Sequence, residues 1–148
     1  MAAGDIIKTT NLEVIEVTVK ADEDIELGEF ICDDGAGFLA ATAALAAVNK
    51  PIVAIEAHDY SVAETHKIRA LRHGTVVAQK KANSGAVRIG NKLLISDTAG
   101  ECQVFAMADV TATVNEAAVE AALLANQAAF GEAAENVATA ATEVTVNL

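Results

Sequence analysis

The chain has 148 residues and a formal net charge of −11, with 53 % apolar residues, only 3 % aromatic residues and no Trp. That length suits one domain. The charge disfavours nonspecific binding to nucleic acid or to an anionic membrane, and the shortage of rings argues against an aromatic-lined site for sugars, bases or lipids. No apolar run reaches the ~20 residues that span a bilayer, and the first residues show neither a basic n-region nor an apolar h-region, so neither a signal peptide nor a membrane partner is expected.

Residues Met1 to Asn11 carry two large aliphatic side chains, Ile6 and Ile7, and no turn or cap logic. They read as an arm that is mobile in isolation; the plainer alternative is that Ile6 and Ile7 begin the strand that continues through Val19, inside the chain's own core. Leu12 to Val19 alternates like a strand, with a change of phase at Val14-Ile15 that predicts a bulge. Ala21 to Asp24 is an acidic turn. Ile25 to Ala40 then reads as a β-hairpin, with Gly28 before its first strand and Asp33-Asp34-Gly35 at its turn. Cys32 lies in this hairpin. With Cys102 it is one of only two cysteines, too few for a disulfide framework. A bridge between the two stays open beside the simpler reading of two small buried apolar side chains.

Ala40 to Asn49 is rich enough in Ala for a short helix, stopped by Pro51. Ile52 to Ile55 is a buried strand candidate, and His58 to Thr65 a polar loop. His66 to Gln79 reads as two strands, or one strand bent at Gly74. After the loop Lys80 to Ala86, Val87 to Ala106 repeats the hairpin plan, with Gly90 answering Gly28 and Asp97 to Gly100 answering the first turn. Thr113 to Gln127 is a helix, with Asn115 as its N-cap and Glu116 at the positive end of the dipole. For Ala128 to Thr142, comparison with the first half favours a strand at Phe130 and then a loop. Glu143 to Leu148 closes the chain as a strand with Val144 and Val146 on one face.

These elements predict a mainly β fold. The body, residues 12–148, is a small β-barrel or β-tulip-like domain made of two related hairpin units with one short Ala-rich helix; residues 1–11 are a flexible N-terminal arm.

Charge is segregated along the chain. Lys67, Arg69, Arg72, Lys80, Lys81, Arg88 and Lys92 are seven of its ten basic residues, and no Asp or Glu lies between the first and the last of them. Either this stretch meets an acidic surface on another copy or partner, or folding intermixes the two signs on one surface. Nucleic acid is not the expected partner, since no aromatic residue interleaves with the cations.

Catalytic signatures are missing. There is no phosphate-cradling glycine loop followed by Lys and no nucleophile elbow. His58, His66 and His73 have spacings that fit no common zinc pattern, and an odd separation puts His66 and His73 on opposite faces of a straight strand. Asp22-Glu23-Asp24 and Asp33-Asp34 fall in turns, where Asp is favoured for its conformation. Neither an enzyme nor a cofactor or metal is expected.

Three pieces occur in a telling order: Leu27-Gly28-Glu29-Phe30, then Val87-Arg88-Ile89-Gly90-Asn91-Lys92-Leu93, then Phe130-Gly131-Glu132-Ala133-Ala134-Glu135 followed by Val144-Thr145-Val146-Asn147-Leu148. This order resembles the small capsid decoration, or cement, proteins of tailed viruses, including small phage head proteins formerly of unknown function. In plan it also resembles the lambda-type head decoration protein. Glu29 and Asn91 stand where that pattern has Asp, and the helix after Asn115 is longer than the pattern's.

The resemblance implies a virion structural protein made in the host cytoplasm. It would bind the outer surface of an expanded icosahedral shell as a homo-trimer and clamp the major capsid protein. It implies capsid attachment through Ile6, Ile7, Lys8 and Thr9 of the arm, and subunit or capsid contact through Lys67, Arg69, Arg72, Lys80 and Lys81. The alternatives are a self-assembling phage tail or shell component, and a small ligand- or metal-binding domain.

Overall fold

In the computed structural model, which describes residues 1–106 and 115–148 (8–10 and 125 by backbone alone), the first strand begins before the expected domain boundary. β1 (Ile6–Thr18) and β5 (Lys67–Gln79) are each 13 residues long. They run antiparallel, with Ile6 opposite Val76 and Thr18 opposite Lys67. The segment read as a mobile arm is therefore largely strand. Gly4 N–H donates to the Val77 carbonyl at 2.7 Å, and Val77 N–H donates to that of Asp5 at 2.9 Å. What disguises the continuity is a break in register between Lys8 and Glu13, where Asn11 takes a φ of 56°. A further shift follows at Glu13/Val14, beside the expected bulge. β5 is one bent strand with Gly74 at a φ of 136°, a conformation that favours glycine.

Among the described residues, nine strands form one curled antiparallel sheet, a half-barrel. The others are β2 (Phe30–Asp33), β3 (Phe38–Ala40), β4 (Ile52–Ala54), β6 (Lys92–Ile95), β7 (Cys102–Val104), β8 (Phe130–Ala133) and β9 (Glu143–Asn147). Their order is β3-β2-β4-β5-β9-β8-β6-β7, with β1 on β5. The mainly β body thus stands as the sequence predicts.

The two hairpin units repeat one pattern of strand pairing. In the first, Thr18 faces Lys67, Val19 bridges Phe38 and Ile25 bridges His58; in the second, Gln79 faces Glu143, Lys80 bridges Cys102 and Val87 bridges Val137. Hydrogen bonds repeat as well. Gly28 N–H donates to Ala54 O at 2.8 Å and Gly90 N–H to Ala133 O at 2.9 Å. The Glu29 carboxylate accepts from Glu26 N–H as the Asn91 amide oxygen accepts from Arg88 N–H. β5 belongs to both units: its first half closes unit one and its second half opens unit two.

Among the described residues two helices are present, against the one short Ala-rich helix expected of the body. α1 (Ala43–Val48) is capped by Thr42, whose Oγ1 accepts from Leu45 N–H at 3.3 Å; α2 (Glu116–Ala128) is capped by Asn115, accepting from Ala118 N–H at 2.9 Å. Thr113 and Val114, the expected start of α2, lie outside the described residues. Phe130 does open a strand, β8, and a loop follows it. One apolar cluster joins the units through Phe30 and Phe130, whose rings meet edge to face at 4.9 Å, with Leu71, Leu93, Val144 and Val146 around them. A second fills unit one with Val17, Val19, Ile25, Ile31, Ile52 and Ile68. Cys32 and Cys102 are both buried free thiols, and burial pushes each up to about 12, which keeps them protonated and inert.

Candidate functional site

Among the described residues the cations do not form a patch. β1 and β5 are antiparallel neighbours, so acids from the first part of the chain lie across from the basic stretch. Lys67 meets Glu16 at 3.3 Å, and Arg72 meets Glu13 at 3.2 Å. Arg69 binds Glu56 at 2.7 Å through Nε, while its own N–H donates to the same carboxylate. Lys81 pairs with Asp97 just as Lys20 pairs with Asp34 in unit one. Folding thus intermixes the signs, and exposed pairs of this kind contribute roughly 0–1 kcal/mol each. Arg88 and Lys92 differ: both are exposed, and neither has a carboxylate partner among the described residues.

Lys80 is not at the surface. It is 1 % exposed, at the position that Val19 takes in unit one. Its ammonium donates to the carbonyls of Lys81 at 3.0 Å, Thr139 at 3.2 Å and Ala141 at 3.3 Å, and to Ser84 Oγ at 3.4 Å. Burial pulls its pKa below the usual lysine range.

Of the four residues assigned to the arm, Ile6 is half-buried against the main core and Ile7 is 38 % exposed. Lys8 pairs with Thr75 through its backbone. Thr9 lies in the same strand, and the side chains of Lys8 and Thr9 are outside those described.

Two groupings escaped the sequence reading. His58 Nε2 and His66 Nδ1 are 3.1 Å apart, and Tyr60 stacks on His66 at 3.8 Å. Strand parity could not show this, because His58 is placed by its bridge to Ile25 and not by β5. Among the described residues no three His, Cys, Asp or Glu side chains are grouped to hold a metal ion, and no helix is long and apolar enough to cross a membrane. An open groove of about 350 Å³ beside Ile15, Phe38 and Ile52 carries Lys50, Arg72 and His73 on its rim.

The second grouping is the seam between units. Phe30 N–H donates to Gly100 O, and Gly100 N–H to Ala41 O, both at 2.9 Å. Gly100 has a φ of 79°, and a Cβ there would collide with the Glu29 side chain. Burial, helped by the nearby charges of Glu26, Glu101 and Glu23, pushes Glu29 up to about 7; its bond from the Glu26 N–H works the other way. A carboxylate raised in the folded state holds its proton there at pH values where the unfolded chain has lost it. Stability therefore falls as pH rises from about 4.5 to 7. Glu29→Gln, which keeps an acceptor for Glu26, should raise stability by about 2 kcal/mol at pH 8, allowing for partial exposure, and change little at pH 5. Urea melts at the two pH values read this directly, and an equal effect at both would rule it out.

Comparison with known proteins assigns no family: no family model matches the chain, and no curated protein does.

Proposed function

We propose that this protein is a virion structural protein of a tailed virus, binding the outside of an expanded icosahedral shell as a homo-trimer and cementing it. The observation that carries the reading is a duplicated, curled β body with few aromatic residues, which matches the plan implied by the resemblance of its Gly28, Gly90 and Gly131 segments to capsid decoration proteins. The described surface fits a role in contacts better than one in chemistry. Its cations are mostly paired within the chain, and its grooves are open. The partner is the major capsid protein. A small domain gains hold on such a lattice by engaging several sites at once as an oligomer, through effective concentration.

Purified protein mixed with undecorated expanded shells should add regular density to their outer surface in electron micrographs and raise the temperature at which they burst. Shells that stay bare at high protein concentration would defeat the reading.

A further inference from the structure

We propose that copies of this chain join head to tail, the Arg88–Lys92 turn of one copy docking on the outer edge of β1 in the next. This deepens the oligomeric part of the function proposed above by naming the surfaces. The warrant is a contact that the chain already makes with itself.

Unit one caps the opening strand of unit two. Gln79 N–H donates to the Gly28 carbonyl at 2.8 Å, and Gln79 Nε2 to the Leu27 carbonyl at 2.9 Å. One step along, Val77 exchanges both of its backbone bonds with Gly4 and Asp5. The outward edge of β5 at residues 77 and 79 is thereby closed.

The same edge in unit one belongs to Glu16 and Thr18. Val19 N–H donates to His66 O at 2.8 Å, so the alternation of an antiparallel pair turns residues 15, 17 and 19 toward β5 and 14, 16 and 18 away from it. Lys20, next in the outward series, bonds Phe38 O, as Lys81 bonds Cys102 O in unit two. Among the described residues no strand covers 14, 16 or 18, and Leu12 and Val14 are each 37 % exposed beside them. An uncovered edge of this kind is a template for pairing.

The complementary element is equally bare. Gly28 is packed, and a Cβ there would lie 2.9 Å from Gly4 N; a Cβ at Gly90 would meet no atom of the described residues within 4 Å. Ile89 is 66 % exposed, against 45 % for its counterpart Leu27. Charge sets the polarity of the contact. The bare turn carries Arg88 and Lys92, whereas the bare edge carries Glu13 and Glu16, exposed carboxylates that also pair with Arg72 and Lys67 within the chain. The turn of unit one carries Glu26 and Glu29 instead and offers those carboxylates no cation. Transferring the internal contact between copies puts Thr18 N–H on the Gly90 carbonyl. Each copy holds one turn and one edge, so the interface is heterologous; it closes into a ring, such as the proposed trimer, or runs on as a filament.

Two variants test it. Ile89→Asp spoils the turn. Thr18→Pro spoils the edge, and since its N–H points outward, no bond within the sheet is lost; Glu16→Arg is a second edge variant if the proline perturbs folding. Light scattering should find wild-type protein at a multiple of 15.2 kDa and each variant at 15.2 kDa, with unchanged circular dichroism. A mixture of the turn-dead and edge-dead variants should give a two-copy species and nothing larger, while wild-type protein should exceed two copies, which a self-complementary interface cannot produce. Wild-type protein that is monomeric at every concentration, or variants that still assemble fully, would overturn the proposal. If a monomeric protein coats shells, and its β1 amides gain exchange protection only there, the edge belongs to the shell protein: this interface falls and the cement reading stands. Multimers that behave as expected yet leave shells bare give the reverse.

Discussion

Removing residues 1–10 should destabilise the protein by about 3–4 kcal/mol. The loss has three parts. The two bonds between Val77 and the Gly4–Asp5 backbone contribute about 1 kcal/mol each. Ile6, half-buried against the main core, contributes a further 1–2 kcal/mol or so. The segment also covers Gly28, where Ala3 and Gly4 pack, and Ala3 N–H donates to Glu143 at 3.1 Å. Truncation leaves β5 with an open edge at Val77, so aggregation should accompany the lower melting temperature. A mobile arm would have behaved in the opposite way, leaving the melt unchanged and affecting only attachment. Calorimetry of the truncated chain separates the two, and a melting temperature within a degree of the full-length value would return these residues to the arm.

The repeat was legible in the sequence because it is written in turn chemistry. Gly28 and Gly90, and the acidic turns after them, stand at matching points of two alternating patterns, and positive φ values at both glycines bear this out. The start of β1 was legible only as the alternative to an arm. Ile6-Ile7-Lys8-Thr9 is too short to show a period, and the irregular residues up to Asn11 separate it from the clear alternation that follows. The charge pattern left two readings open for a different reason. Glu13 and Arg72 are 59 residues apart and meet only because β1 pairs with β5. No local property of either segment states that pairing, so segregation along the chain said nothing about segregation in space. Lys80 is the sharpest case. Next to Lys81 it reads as surface charge, yet aligning the two units sets Lys81 against Lys20 and Lys80 against the buried Val19.

That placement gives Lys80 a testable weight. Its ammonium is held by three carbonyls and a hydroxyl rather than by a carboxylate, and the consequence of losing it depends on which acceptors keep a second donor. Lys81 O retains Ser84 Oγ at 2.7 Å, and Thr139 O retains Asn83 N–H at 2.9 Å. Ala141 O has no other donor among the described residues. Lys80→Met keeps most of the packing volume and removes the cost of a buried charge, but leaves that carbonyl without its donor; a net loss of about 2 kcal/mol is expected. Lys80→Ala adds a cavity in place of the stem, bringing the loss to about 4 kcal/mol. The pH dependence identifies the cause. Because burial lowers the folded pKa of Lys80, the unfolded chain binds more protons just below pH 10.5, and the contribution of this residue to stability rises with pH through that window. The methionine variant lacks the titration, so its deficit against wild type should widen as pH climbs from 8 toward 10.5. A constant deficit, or amide exchange in 81–86 and 137–142 no faster than in wild type, would show that the lysine is not what ties these two loops together.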